Sequence, residues 1–486
     1  MRHSRSRGLV WAIAAVLLSG CPTTPPSDAQ PTSVEPSRAK PLRVAVLDDP
    51  QLAQAIERQW QARAEGQIEV VRTTVGEFLD KGRAQPAVDA IFYPSGWIGQ
   101  LAEGGWISPL SDDAIHGPLS ARRDIFELIR QQEVYWGEKV YAVPLGSPQL
   151  NVVYRRDVFE KLGLDPPRTW TEYAETARKL AQKARPADRA PAAAWHALAE
   201  PLGPGWAGQV LLARAAGYAR HRSYYATLFD LETMQPLIAT PPFIKALEEL
   251  VAAAPFSSPD AVKFTPDETR REVLAGRCAM SLTWPARRAE TPDAGPSASV
   301  RDGGVLAVAE LPGSAQVYHP ENKKWEPRDR AELGSVPLLA VAGRLGSVAK
   351  SSRQPQAAMA LVLRVAGAEW SEQISPLSPA TTLFRASQLG KVTAWTGDFL
   401  EPPAAKEYAE LVQQTQCRPL WLCSPRFPGR DRYLAVLDDA VHEAVRGAKP
   451  PAECLQAAAE RWQTITRELG VPAQRTAYLR SLCMEP

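Results

Sequence analysis

Between Leu42 and Tyr93 the chain alternates short β-branched apolar runs with helix-spaced segments, and few architectures accept that order. LRVAVL (Leu42 to Leu47), IEVV (Ile68 to Val71) and VDAIFY (Val88 to Tyr93) are expected strands. Leu52 to Arg63 and Val75 to Lys81 are the helices between them. Strands that alternate with helices predict a parallel, doubly wound α/β sheet. Ligands of such sheets bind beyond the carboxyl ends of the strands. Asp48, Asp49, Tyr93, Ser95 and Trp97 all fall at such ends.

The middle of the chain is richer in helix. Thr169-Trp170-Thr171-Glu172 is a capping box that opens a helix to about Lys183. Thr265-Pro266-Asp267-Glu268 is another, with proline at the first helical position and an end near Gly276. Strands are expected at Ala279 to Thr283, Val305 to Glu310 and Pro337 to Ala342. The segment AQVYHPENKKWEPR alternates around Pro-Glu-Asn and predicts an exposed hairpin. Helices are expected at Pro355 to Ala366, about Arg432 to Val445 and Pro451 to Leu469. Thr291 to Ser299 is a Pro/Ser/Ala loop.

The first residues combine Arg2, Arg5 and Arg7 with an apolar run to Leu18, the pattern of a secretory signal peptide over 1–20. Leu18-Ser19-Gly20-Cys21 resembles a bacterial lipobox, which implies lipidation of Cys21; an ordinary cleaved signal is the alternative. Residues 21–40 are proline-rich with few large apolar groups, so they form a linker and not a core. A net charge of +2, with no basic run outside the signal, argues against a nucleic-acid partner. No H-E-x-x-H, C-x-x-C, P-loop, G-x-G-x-x-G or G-x-S-x-G motif is present, and no cofactor or metal is expected. After Cys21 five cysteines remain. The spacing of Cys417 and Cys423 permits a short disulfide loop, with two unpaired buried thiols as the alternative. Cys454 with Cys483 would be a second pair, leaving Cys278 free.

Several blocks then fall into a known order. Asp89 to Asp112 ends in a G-x-x-x-P-L element. Tyr135 to Leu180 contains GEKVYAVP, YRRDVFEKLG and PPRTWTE. Leu274-Ala275-Gly276-Arg277-Cys278-Ala279-Met280, Ala309 to Gly313, Pro337 to Val341, and Arg418-Pro419 through Glu453 follow. The pattern resembles the extracellular solute-binding proteins of ABC importers, the family of sugar and maltodextrin binders. Where that family places Asn after the tyrosine, this chain has Arg155. The resemblance implies a two-lobed periplasmic-binding-protein fold with a hinge and a ligand cleft between the lobes. Carried over, lobe 1 is 41–146 plus 334–414 and lobe 2 is 147–333 plus 415–486.

Sugars present apolar C–H faces ringed by hydroxyls, so their sites need aromatic platforms and a few fixed polar groups. The chain has 14 tryptophans. Trp97, Trp206 and Trp284 sit in loops bounded by Gly or Pro, where each serves as a platform or as a wedge between elements. Trp170 and Trp462 lie within expected helices and belong to the core. Asp48, Tyr93, Ser95, Ser147 and Asn151 offer polar groups, Gly334 and Ser335 lie near an expected lobe crossing, and Trp421 near a re-entry into lobe 2. The resulting expectation is a monomeric, lipid-anchored protein on the periplasmic or cell-surface face of a bacterial membrane. It would capture a small solute, a sugar or oligosaccharide, for ABC permease subunits without making or breaking bonds. An orphan or sensory carbohydrate-binding lipoprotein is the alternative within binding, and a glycan-active enzyme the alternative outside it.

Overall fold

Among the described residues, two larger sheets of five and four strands organise the fold, with three two-stranded pairs beside them. A computed structural model describes residues 40–63, 66–80, 86–117, 122–183, 195–287, 304–328 and 335–485. The expected signal, Cys21 with nearly all of the linker, Gly334 and the Thr291–Ser299 loop lie outside the described residues. The strands that carry the sheets are β1 (Leu42–Leu47), β2 (Ile68–Thr73), β3 (Ala90–Pro94), β4 (Val143–Pro144), β5 (Asn151–Arg155), β6 (His196–Ala199), β7 (Cys278–Thr283), β8 (Leu306–Ala309) and β9 (Arg344–Val348). The larger sheet has the order β2-β1-β3-β9-β4, the smaller β8-β5-β7-β6.

β1 is parallel to both neighbours, with Val44 opposite Val70 and Ala90. Five of its six residues are buried, as a central strand covered on both faces requires. β9 enters antiparallel beside β3, with Gly346 opposite Phe92. A Cβ at Gly346 would stand 2.5 Å from the Phe92 ring, so only glycine fits. In the smaller sheet β5 lies antiparallel between β7 and β8, and β6 is parallel to β7.

Helices cover these sheets: α1 (Pro50–Arg63), α2 (Trp170–Lys183), α3 (Ala207–Ala219), α4 (Pro241–Ala253), α5 (Pro266–Leu274), α6 (Pro355–Ala366), α7 (Pro402–Thr415), α8 (Arg430–Val445), α9 (Pro451–Leu469) and α10 (Val471–Ser481). The Thr265 capping box forms as expected, its side chain and that of Glu268 each accepting from the other's backbone N–H. Trp170 and Trp462 are fully buried, as their helical positions required.

Two expectations need correction. The strand expected at Pro337–Ala342 shrinks to Leu338–Leu339, which pairs with Leu422–Cys423. The longer strand there is β9, whose Arg344 and Gly346 break the apolar run that marks a strand in sequence. Leu383, Val392, Trp395, Phe399, Tyr408 and Val412 share one buried cluster with Val153 of β5 and Leu306 of β8, so this stretch packs on the smaller sheet. The cysteines are free thiols: Cys417 is exposed while Cys423 is buried beside Leu339, and neither they nor Cys454 and Cys483 are bridged. Burial pushes the Cys423 thiol up to about 12, which keeps it protonated and a poor nucleophile.

Candidate functional site

Residues 145–150, which lead from β4 of the larger sheet to β5 of the smaller, touch two further segments, 336–343 and 375–382. Gly146 and Gly343 sit back to back where the first two meet, with φ of +113° and +115°. A Cβ at Gly343 would lie 2.9 Å from the Gly146 carbonyl oxygen and the Ser147 Oγ. A Cβ at Gly146 would lie 2.3 Å from the Thr382 carbonyl oxygen. Gly146 and Gly343 meet at this crossing; of the expected Gly334–Ser335 pair, Ser335 is buried and Gly334 lies outside the described residues.

The polar groups expected near the strand ends tie these segments together. Ser95 Oγ donates to the Ala342 carbonyl at 2.8 Å. Ser147 Oγ donates to Glu133 at 2.7 Å and approaches the same Ala342 carbonyl at 3.2 Å. The same Glu133 oxygen accepts from the Ala340 amide. Burial pushes the Glu133 carboxyl above its usual range, against the Ser147 and Ala340 hydrogen bonds. Tyr93 is buried, with its hydroxyl 2.8 Å from Ser347 Oγ. Asn151 pairs opposite Thr283 and donates to the Gln149 carbonyl.

A second set of contacts runs from one sheet to the other. Asp49, at the end of β1, is 3% exposed and accepts from Arg344 Nε at 2.8 Å. It also accepts from Ser378 Oγ, while its other oxygen caps the Leu52 amide. The next residue, Pro379, accepts through its carbonyl from Trp284 Nε1 at 2.9 Å, just beyond β7. Trp284 stands 5.9 Å from Trp206 at an interplanar angle of 42°, and Arg270 lies over its ring. Trp206 is half-buried at the entry to α3. Its neighbours Gly205 and Gly208 donate their amides to Asp438 of α8 at 2.6 and 2.7 Å, which fixes the α3 N-terminus. The structure thus brings the expected Trp206 and Trp284 into one pair, joined through Pro379, Ser378 and Asp49 to the end of β1.

Trp97 lies at the end of β3, half-buried, with the Arg430 guanidinium 5.4 Å from its ring centroid. Arg430 pairs with Asp431, whose side chain is 60% exposed. Asp48 is exposed at a left-handed φ of +53°. Trp421 goes elsewhere: it lines a small pocket with Arg220, Tyr225, Phe427 and Tyr478. Asp49 was expected at a strand end, but Arg344, Arg270 and Arg430 were absent from the site expected from sequence. Arg344 carried the one available signal, a charge inside an otherwise apolar segment.

This geometry leaves Trp97 and Trp206 half-buried, Trp206 resting on the buried Trp284, with the buried Asp49–Arg344 pair behind and the exposed Asp48 and Asp431 beside them. A family model for bacterial extracellular solute-binding proteins matches residues 48–362. The chain belongs to that family. Solved structures agree on the fold of these binding proteins. A ribitol complex of an ABC transporter solute-binding protein from Agrobacterium radiobacter K84 is 18% identical with a TM-score of 0.62, covering 87% of this chain and 98% of that one. Maltose-bound MalE3 of T. maritima is 17% identical with a TM-score of 0.60, covering 87% and 99%. A D-mannitol-bound solute-binding protein from Agrobacterium vitis S4 is 15% identical with a TM-score of 0.62, covering 88% and 99%. The two-lobed fold is therefore that of a solute-binding protein. No helix among the described residues is long and apolar enough to cross a membrane.

Proposed function

We propose that this solute-binding protein captures a sugar or polyol between its two sheets and delivers it to an ABC permease, as a monomer held at a bacterial membrane by lipid on Cys21. The carrying observation is the half-buried Trp206 at the entry to α3, backed by the buried Trp284 just beyond β7, with the half-buried Trp97 beyond β3 of the larger sheet. Flat rings accept the C–H faces of a polyhydroxylated ligand. Asp48, Asp431 and Arg430 supply groups for its hydroxyls. The relatives with bound ribitol, maltose and mannitol support this ligand class. The mechanism is reversible: the lobes close on ligand because the closed state gains contacts that the open one lacks.

Calorimetric titration with ribitol, D-mannitol, D-tagatose, maltose and maltotetraose tests the reading. At least one is expected to bind with a Kd below about 100 µM. Failure of all five, with binding of an unrelated solute such as an amino acid, would overturn the ligand class.

A further inference from the structure

Outside the crevice, two histidines and a glutamate converge beyond the C-terminus of α3. His221 follows that helix by two residues and is buried. His319 and Glu326 lie on the hairpin of Gln316–His319 and Lys324–Pro327, where Glu326 is opposite Val317. Residues two apart on a strand share a face, so His319 and Glu326 project to the same side. One ligand atom from each of the three residues lies within 4.8 Å of the others. His221 Nε2 and Glu326 Oε2 are 3.4 Å apart. The edge of a tetrahedron with bonds of about 2.1 Å is about 3.4 Å, so these two atoms already hold the spacing of zinc ligands.

The hairpin is fixed against α3 independently of this cluster. Arg328 donates to the carbonyls of Gly217 and Arg220 at 3.0 and 2.8 Å. Trp325 packs edge-on against Tyr218 at 5.9 Å. The Tyr224 ring lies 5.6 Å from the His221 ring and 5.2 Å from that of His319, which limits their rotation.

We propose that His221, His319 and Glu326 form a site for a divalent ion of the zinc class, clipping the hairpin to the end of α3. Two imidazoles and one carboxylate suit zinc better than calcium or magnesium, which take oxygen ligands. Water fills the remaining position. Each Nδ1 now accepts a backbone N–H, from Ser223 at 3.1 Å and from Asn322 at 3.2 Å. That sets the Nε2–H tautomer in the metal-free protein. Coordination through Nε2 shifts each imidazole proton to Nδ1 through solvent, and the two amides turn to water. The site is therefore weaker than a dedicated structural zinc centre. The proposal is independent of the solute that the crevice takes.

The test uses untagged full-length protein, stripped with chelator and titrated with zinc chloride in competition with a chromophoric chelator. One zinc per chain is expected, half-saturating near or below about 10 µM free ion, with a raised melting temperature. Glu326→Gln and His319→Ala should each weaken binding at least about tenfold. His116→Ala, on the larger-sheet side, should leave it unchanged. Glu326→Gln keeps the side-chain volume, so the comparison survives if His319→Ala folds poorly. No zinc uptake by the wild type, or wild-type affinity in both variants, would overturn the site.

Discussion

Replacing Gly146 with alanine isolates the crossing between the sheets. The added Cβ would stand 2.3 Å from the Thr382 carbonyl oxygen and 3.0 Å from its amide nitrogen, both backbone atoms that no rotamer change can move aside. The φ of +113° is itself costly for an L side chain. Backbone strain of that kind costs about 1–3 kcal/mol, and displacing the neighbouring segment brings the sum to about 3–5 kcal/mol. Unfolding entropy near 2.1 cal/mol/K per residue gives ~0.9 kcal/mol/K over about 450 residues, so ~1 °C is lost per kcal/mol. Gly146→Ala should melt about 3–5 °C below wild type in differential scanning calorimetry. Gly343→Ala, whose Cβ meets three atoms at 2.9 Å, should behave alike. Gly390→Ala, with nothing within 4 Å, should not shift. If Gly146→Ala and Gly343→Ala both melt with Gly390→Ala, the crossing is not held as described.

Glu133 gives a pH test. Its raised carboxyl means that the folded state holds the proton more tightly than the unfolded one. Its contribution is full below the unfolded value and is lost as pH rises through the folded value. Urea melts from about pH 4 to about pH 8 should show wild type losing stability relative to Glu133→Gln; a rising or parallel trend would refute this. Cys21→Ser should move the exported protein from the membrane fraction to the soluble one in a fractionation blot; retention at the membrane would contradict lipidation. Denatured, non-reduced protein should alkylate at Cys278, Cys417, Cys423, Cys454 and Cys483, and a linked peptide in mass mapping would refute the free thiols.

The fold was legible wherever one period of hydrophobicity ran uninterrupted. β1, α1 and the Thr265 helix lie where LRVAVL, the Leu52–Arg63 spacing and the capping box placed them. β9 was hidden because its charge and its glycine answer to partners distant in sequence, Asp49 and Phe92. Helix α10 was hidden behind Gly470 and Pro472, which mark a break, although here the proline occupies the first turn of a new helix. The candidate tryptophans could be chosen by their Gly- and Pro-bounded loops. Their pairing could not, since Trp206 and Trp284 meet only after β6 and β7 align in parallel. The hydroxyls of Ser95 and Ser147 show the limit of composition: a loop serine looks the same whether it faces a ligand or a neighbouring carbonyl.

The most direct measurement is the affinity of Trp206→Ala, beside wild type, for whichever of the five sugars and polyols binds best. Trp206 is half-buried beside Trp284, so its loss should leave the fold largely intact while removing one aromatic face. Loss of a stacking ring is worth about 0.5–1.5 kcal/mol beyond the buried area, so a drop of about tenfold in affinity is expected by calorimetry, with little change in melting temperature. Unchanged affinity in Trp206→Ala, with the wild type binding the same ligand, would contradict capture between the sheets at this pair.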